Sequence, residues 1–419
     1  MLLILLAHIV LICVSAADKT KPRVKVQLSE RPAYVQNLID LAENSLPAFD
    51  YESRANQLLS IMKHSPPSSS SLPRKGTLCS TFIKWSDATS QNLLYNMQYS
   101  VGFCNWLVIV YNSTGVSAEH IRMSIELSLD DHRHVNRSIN TAPWLTVVTL
   151  PPKDTLQIFL HDVCEQYWKR HLDPFLIKFH QCELISNLPD LPFNPHLYAK
   201  ESQLIVLLPH LFHYEYVWTL DGDLGFHTLN VTRFHRIHMC AFHTPPLVSQ
   251  PLIQQSTQFY RYLLRRSWGH TNTLASTVGF VELQASYFHT HYLEWFILAF
   301  IVPLANPMYI LGSDWGVDEM YCTAARQYKA IMVSHNATTT DPLCAVIVGN
   351  MGIHHNNLKT IKKVMGGRDT HLHLNYALMH IVHKMFGGYC SGGLRVENDP
   401  FQPDASYVQS YKFREDCPL

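Results

Sequence analysis

Short apolar runs alternate with polar or amphipathic stretches from Gly76 onward, the rhythm of strands and helices laid against one sheet. Thr77–Trp85 and Trp106–Tyr111 read as strands. The second is an unbroken apolar run of the kind that parallel strands buried on both faces carry. The polar stretch Gln91–Ser100 between them reads as a helix, which makes a βαβ unit. Trp144–Leu150, closed by Pro151-Pro152, is a further strand, and residues 155–180 are helical and rich in aromatics. A helix over 198–208 then leads, past Pro209, into the strand Tyr216-Val-Trp-Thr-Leu-Asp221. Strands alternating with helices predict an α/β fold built on a doubly wound, mainly parallel twisted sheet.

The second half continues the pattern with more interruptions. Thr232–Met239 reads as a short helix, and Val248-Ser-Gln-Pro251 as a break, since Pro251 drives Gln250 extended. A helix around Gln255–Trp268 carries Arg261, Arg265 and Arg266, which fit a solvated face better than a diphosphate cradle. Ser276–Glu282 reads as a strand ending in a carboxylate. The apolar run Trp295–Val302, stopped by Pro303, is too short to span a bilayer and reads as a buried core helix. Val317, Met320, Tyr321, Ala324, Ala325 and Tyr328 recur at helical spacing, so Asp318 or Glu319 sits in the first turn of a helix. Cys344–His355 is a strand ending in two histidines, and Leu374–Met385 an amphipathic helix. Upstream, helices over Ala33–Ser45 and Tyr51–Met62 precede a Ser/Pro run with no means of building a core, which reads as a linker. These boundaries divide the chain into a signal peptide (1–17), a stem and linker (18–72), an α/β domain (73–360) and a C-terminal extension (361–419).

Composition narrows the compartment and the partners. Lys and Arg (33) balance Asp and Glu (33), so bulk electrostatics suggests no nucleic-acid or anionic-membrane partner. The opening MLLILLAHIVLICVSAA has a signal-length apolar core with small residues at Val14–Ala17, though no basic n-region; an uncleaved anchor is the alternative. No stable membrane span is expected once the signal is cleaved. Of the 10 cysteines, Cys13 leaves with that signal, so an odd number remains and at least one thiol is free or pairs between chains. None of them forms a C-x-x-C, which argues against zinc ribbons and thioredoxin-like chemistry. Cys390–Cys417 is one conceivable clip. Sequons begin at Asn112, Asn136, Asn230 and Asn336, and with the signal they favour the secretory pathway, in the Golgi or ER lumen or secreted.

The candidate chemistry sits at the end of the aromatic strand. A buried strand cannot carry unpaired carboxylates into its interior, so Asp221 and Asp223 belong where the chain emerges into a crevice, at the carboxyl end where ligands of open α/β sheets bind. Two hard oxygen ligands there suit Mn²⁺ or Mg²⁺ shared with water and a substrate phosphate. The plainer reading of Asp-Gly-Asp is a turn. Asp318 at a helix start and Glu282 at a strand end could each serve as a general base, against plain capping for Asp318. Of the adjacent histidines, at most one can face an ion from a strand, and a lone strand-end histidine is more often a surface group.

These pieces, in this order, resemble a plant-rich family of uncharacterised proteins, the domain of unknown function 707. The likeness rests on Tyr214–Gly225 with its D-x-D-L-G, on Ser249-Gln250-Pro251, on Trp315-Gly316-Val317-Asp318 and on Ile353-His354-His355. That family looks like a glycosyltransferase of the GT-A type. The resemblance implies a GT-A-like fold, with Asp221 and Asp223 holding a metal and the donor diphosphate. It also implies His355 as a late metal ligand and Asp318 as the acceptor base. The sequence departs from the family at Gly222, where a third carboxylate is usual, and at Gln254, where an acidic residue is usual. The expectation is a lumenal metal-dependent glycosyltransferase that takes a nucleotide-sugar donor and a glycan or protein acceptor. The alternatives are a GT-A-like binding protein without turnover and, with fewer clustered ligands than it needs, a phosphohydrolase.

Overall fold

The structure is a computed structural model of the whole chain, and it describes residues 33–48, 50–64, 75–111, 115–129, 143–171, 181–185, 203–254, 274–332, 343–356 and 368–385. The signal segment, the Ser/Pro run over 65–73, the arginine-bearing stretch 255–273, and Cys390 and Cys417 lie outside these residues.

Among the described residues nine strands form one sheet: β1 (Thr77–Lys84), β2 (Cys104–Tyr111), β3 (Leu145–Thr149), β4 (Tyr216–Asp221), β5 (Leu224–Gly225), β6 (Val248–Gln254), β7 (Ala275–Thr277), β8 (Tyr287–His289) and β9 (Cys344–His355). Their order is β3-β2-β1-β4-β8-β6-β9-β5, with β7 also on β9. β1 pairs in parallel with β2 and β4, β2 with β3, and β6 with β9. Short β8 lies antiparallel between β4 and β6, so β4 and β6 point the same way. All the longer strands therefore end at one edge. That edge collects Asp221, Gln254 and His355, together with Lys84 and Tyr111.

Alternation along the strands sends successive side chains into two cores. Leu78, Leu107, Ile109 and Val217 enter one, whereas Cys79, Trp106, Val108, Val110, Tyr216 and Trp218 enter the other. The helices are α1 (Ala33–Asn44), α2 (Tyr51–His64), α3 (Asp87–Tyr99), α4 (Ala118–Leu129), α5 (Lys153–His171), α6 (Leu204–Leu207), α7 (Val231–Cys240), α8 (Thr290–Leu311), α9 (Glu319–Met332) and α10 (Arg368–Met385). Residues of α3, α4 and α7 line the second core; α1, α2, α5, α8, α9 and α10 line the first. The result is a three-layer α/β architecture, a mainly parallel sheet with helices on both faces.

Helix α8 is the pillar of the first core. Its 22 residues are long and apolar enough to cross a membrane by length and composition, and 94% of the most apolar window is buried inside the protein. It runs on through Pro303, where the sequence predicts a stop, and through Pro307. A π-turn over Ile297–Ile301 changes the hydrogen-bond register ahead of Pro303, so the proline opens the next α segment instead of breaking it. The backbone and polar groups of α8 are then taken up by surrounding elements. Trp295 Nε1 donates to Ala55 O (3.0 Å) in α2, Gln157 Nε2 donates to Ala305 O (3.1 Å) from α5, and the Tyr167 hydroxyl donates to Glu294. Val35, Ile39 and Ala42 of α1 and Leu378, Ile381 and Val382 of α10 join the same core. The helices that the sequence places in a stem and in a C-terminal extension thus pack on the pillar of the α/β unit.

Two further departures follow from local chemistry. Val248–Gln254 is a strand where a break is predicted; Pro251 has no N–H to give the ladder, and the β6–β9 register shifts between Pro251 and Leu252. The strand expected to reach Glu282 stops at Thr277, and Glu282 instead precedes a 3₁₀ turn over Leu283–Ala285. Disulfides Cys79–Cys104, Cys164–Cys182 and Cys322–Cys344 tie β1 to β2, α5 to the turn after it, and α9 to β9. They fit an oxidising, extracellular or lumenal setting.

At the opposite edge lies a cluster of buried and half-buried rings. His238 Nδ1 lies 2.9 Å from Ser249 Oγ, and His235 Nδ1 lies 2.8 Å from the Tyr287 hydroxyl. Burial lowers His235 to about 4 and drives His238 well below the ordinary value. Burial, with neighbouring His213, also lowers His210 to about 4. These imidazoles are neutral when folded and charge readily when unfolded. Their contribution is complete above the unfolded value near 6.5 and is lost as pH falls towards 4, by roughly 3 kcal/mol apiece for His210 and His235. Urea midpoints measured between pH 7.5 and 4.5 should fall steeply below about pH 6.5, and His235→Gln should flatten the dependence.

Candidate functional site

β4 carries Val217, Thr219 and Asp221 on one face and Tyr216, Trp218 and Leu220 on the other. The aromatic face is sealed. Trp218 stacks on Phe234 and Phe226, and its Nε1 donates to Ala285 O (3.1 Å). The strand ends at Asp221, beside Phe82 of β1, and the chain turns through Gly222 and Asp223. A side chain at residue 222 has no room: a Cβ there would collide with Ile83 Cγ2 and lie 3.2 Å from Phe82 O. Glycine fits there because β1 crowds the turn.

The chain then returns at once to the sheet. Leu224–Gly225 forms the two-residue strand β5, which pairs antiparallel with the end of β9, Leu224 opposite His355 and Gly225 opposite His354. This pairing brings two distant motifs together. His355 Nε2 lies 3.6 Å from Asp223 Oδ2, and Asn356 N donates to Asp223 O (2.9 Å). The adjacent histidines diverge as alternation requires. Buried His355 turns to Asp223, while His354 stacks on His227 with centroids 4.7 Å apart. Tyr111, at the end of β2, completes this corner. Its hydroxyl is raised by burial and then by the negative charges of Asp221 and Asp223, so both carboxylates lie within its electrostatic reach.

Two donors on one octahedral ion with bonds of about 2.1 Å stand roughly 3 Å apart. The Asp223–His355 separation of 3.6 Å is close to that, so the pair fits as two ligands of a Mn²⁺ or Mg²⁺ ion, with Asp221 on the same turn. Among the described residues, no group of three or more His, Cys, Asp and Glu side chains is gathered tightly enough to hold a metal unaided. The remaining positions would fall to water and to a ligand's phosphate oxygens.

The two proposed bases flank one turn, that over Leu283–Ala285. Gln250 Oε1 accepts from Glu282 N, and the next residue, Leu283, gives its N–H to the Asp318 carboxylate. Both carboxylates are buried, at 4% and 5% exposure. They adjoin β4, because Thr219 N donates to Ser286 O (2.9 Å) at the end of the same turn. Asp221 shares the face of β4 that Thr219 presents. Burial, reinforced by Glu319 and Asp314, pushes the Asp318 carboxyl up to about 7. Glu319 itself pairs with His383 of α10 (2.9 Å).

Sequence reasoning overlooked the asparagines that hold the turn. Asn92 and Asn96 stand one helical turn apart on α3, and Asn92 Nδ2 donates to Gly222 O (2.9 Å) and to Leu224 O (2.7 Å). Asn96 Nδ2 donates to Leu224 O (2.7 Å) while its Oδ1 accepts from Phe226 N (2.9 Å). The available signal was a pair of amides at i and i+4 beside buried Leu93 and Met97, since polar groups sent inward need partners.

No protein-family model matches the chain, and no curated protein matches it. Among solved structures it is similar to the mannosyltransferase PcManGT from Pyrobaculum calidifontis, determined in complex with GDP-Man and Mn²⁺. The identity is 12%, the match covers 86% of this chain and 84% of that chain, and the TM-score is 0.31. That score is too low to transfer any residue's role.

The crowding at the turn has a direct test. Gly222→Ala should cost about 1–3 kcal/mol in urea unfolding, and Ile83→Ala in the same chain should return part of that loss. Additive losses in the double variant would contradict the contact.

Proposed function

We propose that the chain is a divalent-metal-dependent glycosyltransferase of the secretory pathway, moving a sugar from a nucleotide-sugar donor to an acceptor hydroxyl on a glycan or protein. One observation carries this reading: the paired approach of Asp223 and His355, with Asp221 on the same turn, at the carboxyl ends of a parallel sheet. Ligands of α/β sheets bind at that edge. When bound, Mn²⁺ or Mg²⁺ neutralises the charge that builds on the departing nucleotide diphosphate.

The chain's own residues do the rest. Asp221, Asp223 and His355 would hold the ion beside the donor diphosphate. Asp318, raised to about 7, is poised to take the proton of an acceptor hydroxyl near neutral pH. Glu282 is the second buried carboxylate and the reserve candidate for the same step. A GT-A-like binding protein without turnover is the competing reading, favoured by the absence, among the described residues, of a His, Cys, Asp and Glu cluster tight enough to hold a metal unaided. The disulfides and the exposed sequon asparagine Asn230 support passage through an oxidising compartment.

Incubation of the purified protein with Mn²⁺ and a panel of nucleotide sugars should give release of one nucleoside diphosphate. Asp223→Asn should abolish metal-dependent donor binding. Asp318→Asn should retain donor binding and lose at least about 100-fold in turnover. Wild-type kcat/KM should rise with pH through about 7, because the base must be deprotonated. The same variant should be more stable than wild type at pH 8, since it no longer ionises a buried acid. Turnover unaffected by Asp223→Asn would leave the binding-protein reading.

A further inference from the structure

We propose that Asn92, Asn96 and Asn356 form an amide clamp that sets the distance between Asp223 and His355, and so act as positioning residues for the metal site. The inference rests on the glycosyltransferase reading for its purpose and on the hydrogen bonds alone for its geometry.

The turn after β4 leaves the parallel ladder at Asp221 and rejoins the sheet at Leu224, so the carbonyls between need other donors. Asn92 supplies Gly222 O and Leu224 O, and Asn96 supplies Leu224 O and caps Phe226 N. Each of these bonds ends on backbone and engages neither carboxylate. Asn356 then joins this turn to the other motif. It follows His355 directly, gives its N–H to Asp223 O (2.9 Å), and donates through Nδ2 to Asn92 Oδ1 (3.0 Å). The helix, the turn and the end of β9 are thereby joined into one unit, in which the backbones of residues 223 and 355 cannot separate without breaking hydrogen bonds. Gly225 belongs to the same fit. A Cβ at that position would collide with the His227 ring and lie 2.9 Å from Asn356 Nδ2.

Such a clamp supplies rigidity to a small ligand set. A few ligands bind an ion usefully only if they are already spaced for it, because ordering them on binding would consume much of the affinity.

The test uses Asn92→Leu, which keeps size and neutrality and removes both donors, and Asn92→Gln, which restores an amide. Asn92 is half-buried, so its loss is better tolerated than that of fully buried Asn96. Mn²⁺ affinity is read by calorimetry with a nucleoside diphosphate present. Backbone exchange of residues 222–226 is read by hydrogen–deuterium exchange without metal. The expected result is a folded Asn92→Leu protein whose turn exchanges faster and whose Mn²⁺ affinity falls at least tenfold, with partial recovery in Asn92→Gln and an unchanged pH profile of turnover. Equal Mn²⁺ affinity in wild type and Asn92→Leu would overturn the clamp and leave the metal reading standing. Absence of Mn²⁺ binding in wild type would overturn the metal reading and the clamp's role with it.

Discussion

Backbone groups that leave a sheet inside a protein must be hydrogen-bonded elsewhere, and residues 222–226 show how much can follow from that constraint. The strand before them is buried, so its carboxylates appear only at the last rung of the ladder, Asp221, and just beyond it, Asp223. The turn is too crowded by Ile83 for any side chain between them. Its carbonyls are captured by Asn92 and Asn96, and its return to the sheet as β5 selects His355 as the residue facing it. Each step is forced by the one before. The site is a consequence of how one strand ends.

A second constraint comes from the apolar pillar on the far side of the sheet. α8 buries most of its length, and its solvent-averse faces are covered by α1, α2, α5, α9 and α10. Beside that core, Asp318 and Glu282 are buried around the turn that Ser286 ties to β4. Burying Asp318 there raises its affinity for a proton, which is costly to the fold at high pH and useful to a base working near neutrality.

The strands were the legible part of the sequence. Apolar runs at Thr77, Trp106, Trp144 and Tyr216 marked four parallel neighbours, because burial on both faces leaves continuous hydrophobic signatures. Asp221 and Asp223 were legible as groups that a buried strand must expel, and so was the divergence of His354 from His355. Pro251 and Pro303 misled, since a proline signals a break whether the chain stops there or shifts register around it. The first two helices read as a stem because their amphipathic faces do not say what covers them; the answer lay in Trp295 and its neighbours, more than two hundred residues on. Asn92 and Asn96 passed as ordinary helix polarity. Their role depends on carbonyls distant in sequence, which no local pattern encodes.

The account turns on whether Asp223 and His355 hold an ion together, and anomalous scattering from crystals grown with Mn²⁺ and a nucleoside diphosphate addresses that directly. The expected result is one manganese peak within bonding distance of both Asp223 Oδ2 and His355 Nε2, with phosphate oxygens filling further positions. A peak elsewhere, or an Asp223–His355 pair that persists as a simple ion pair with no manganese near it, would contradict the central claim.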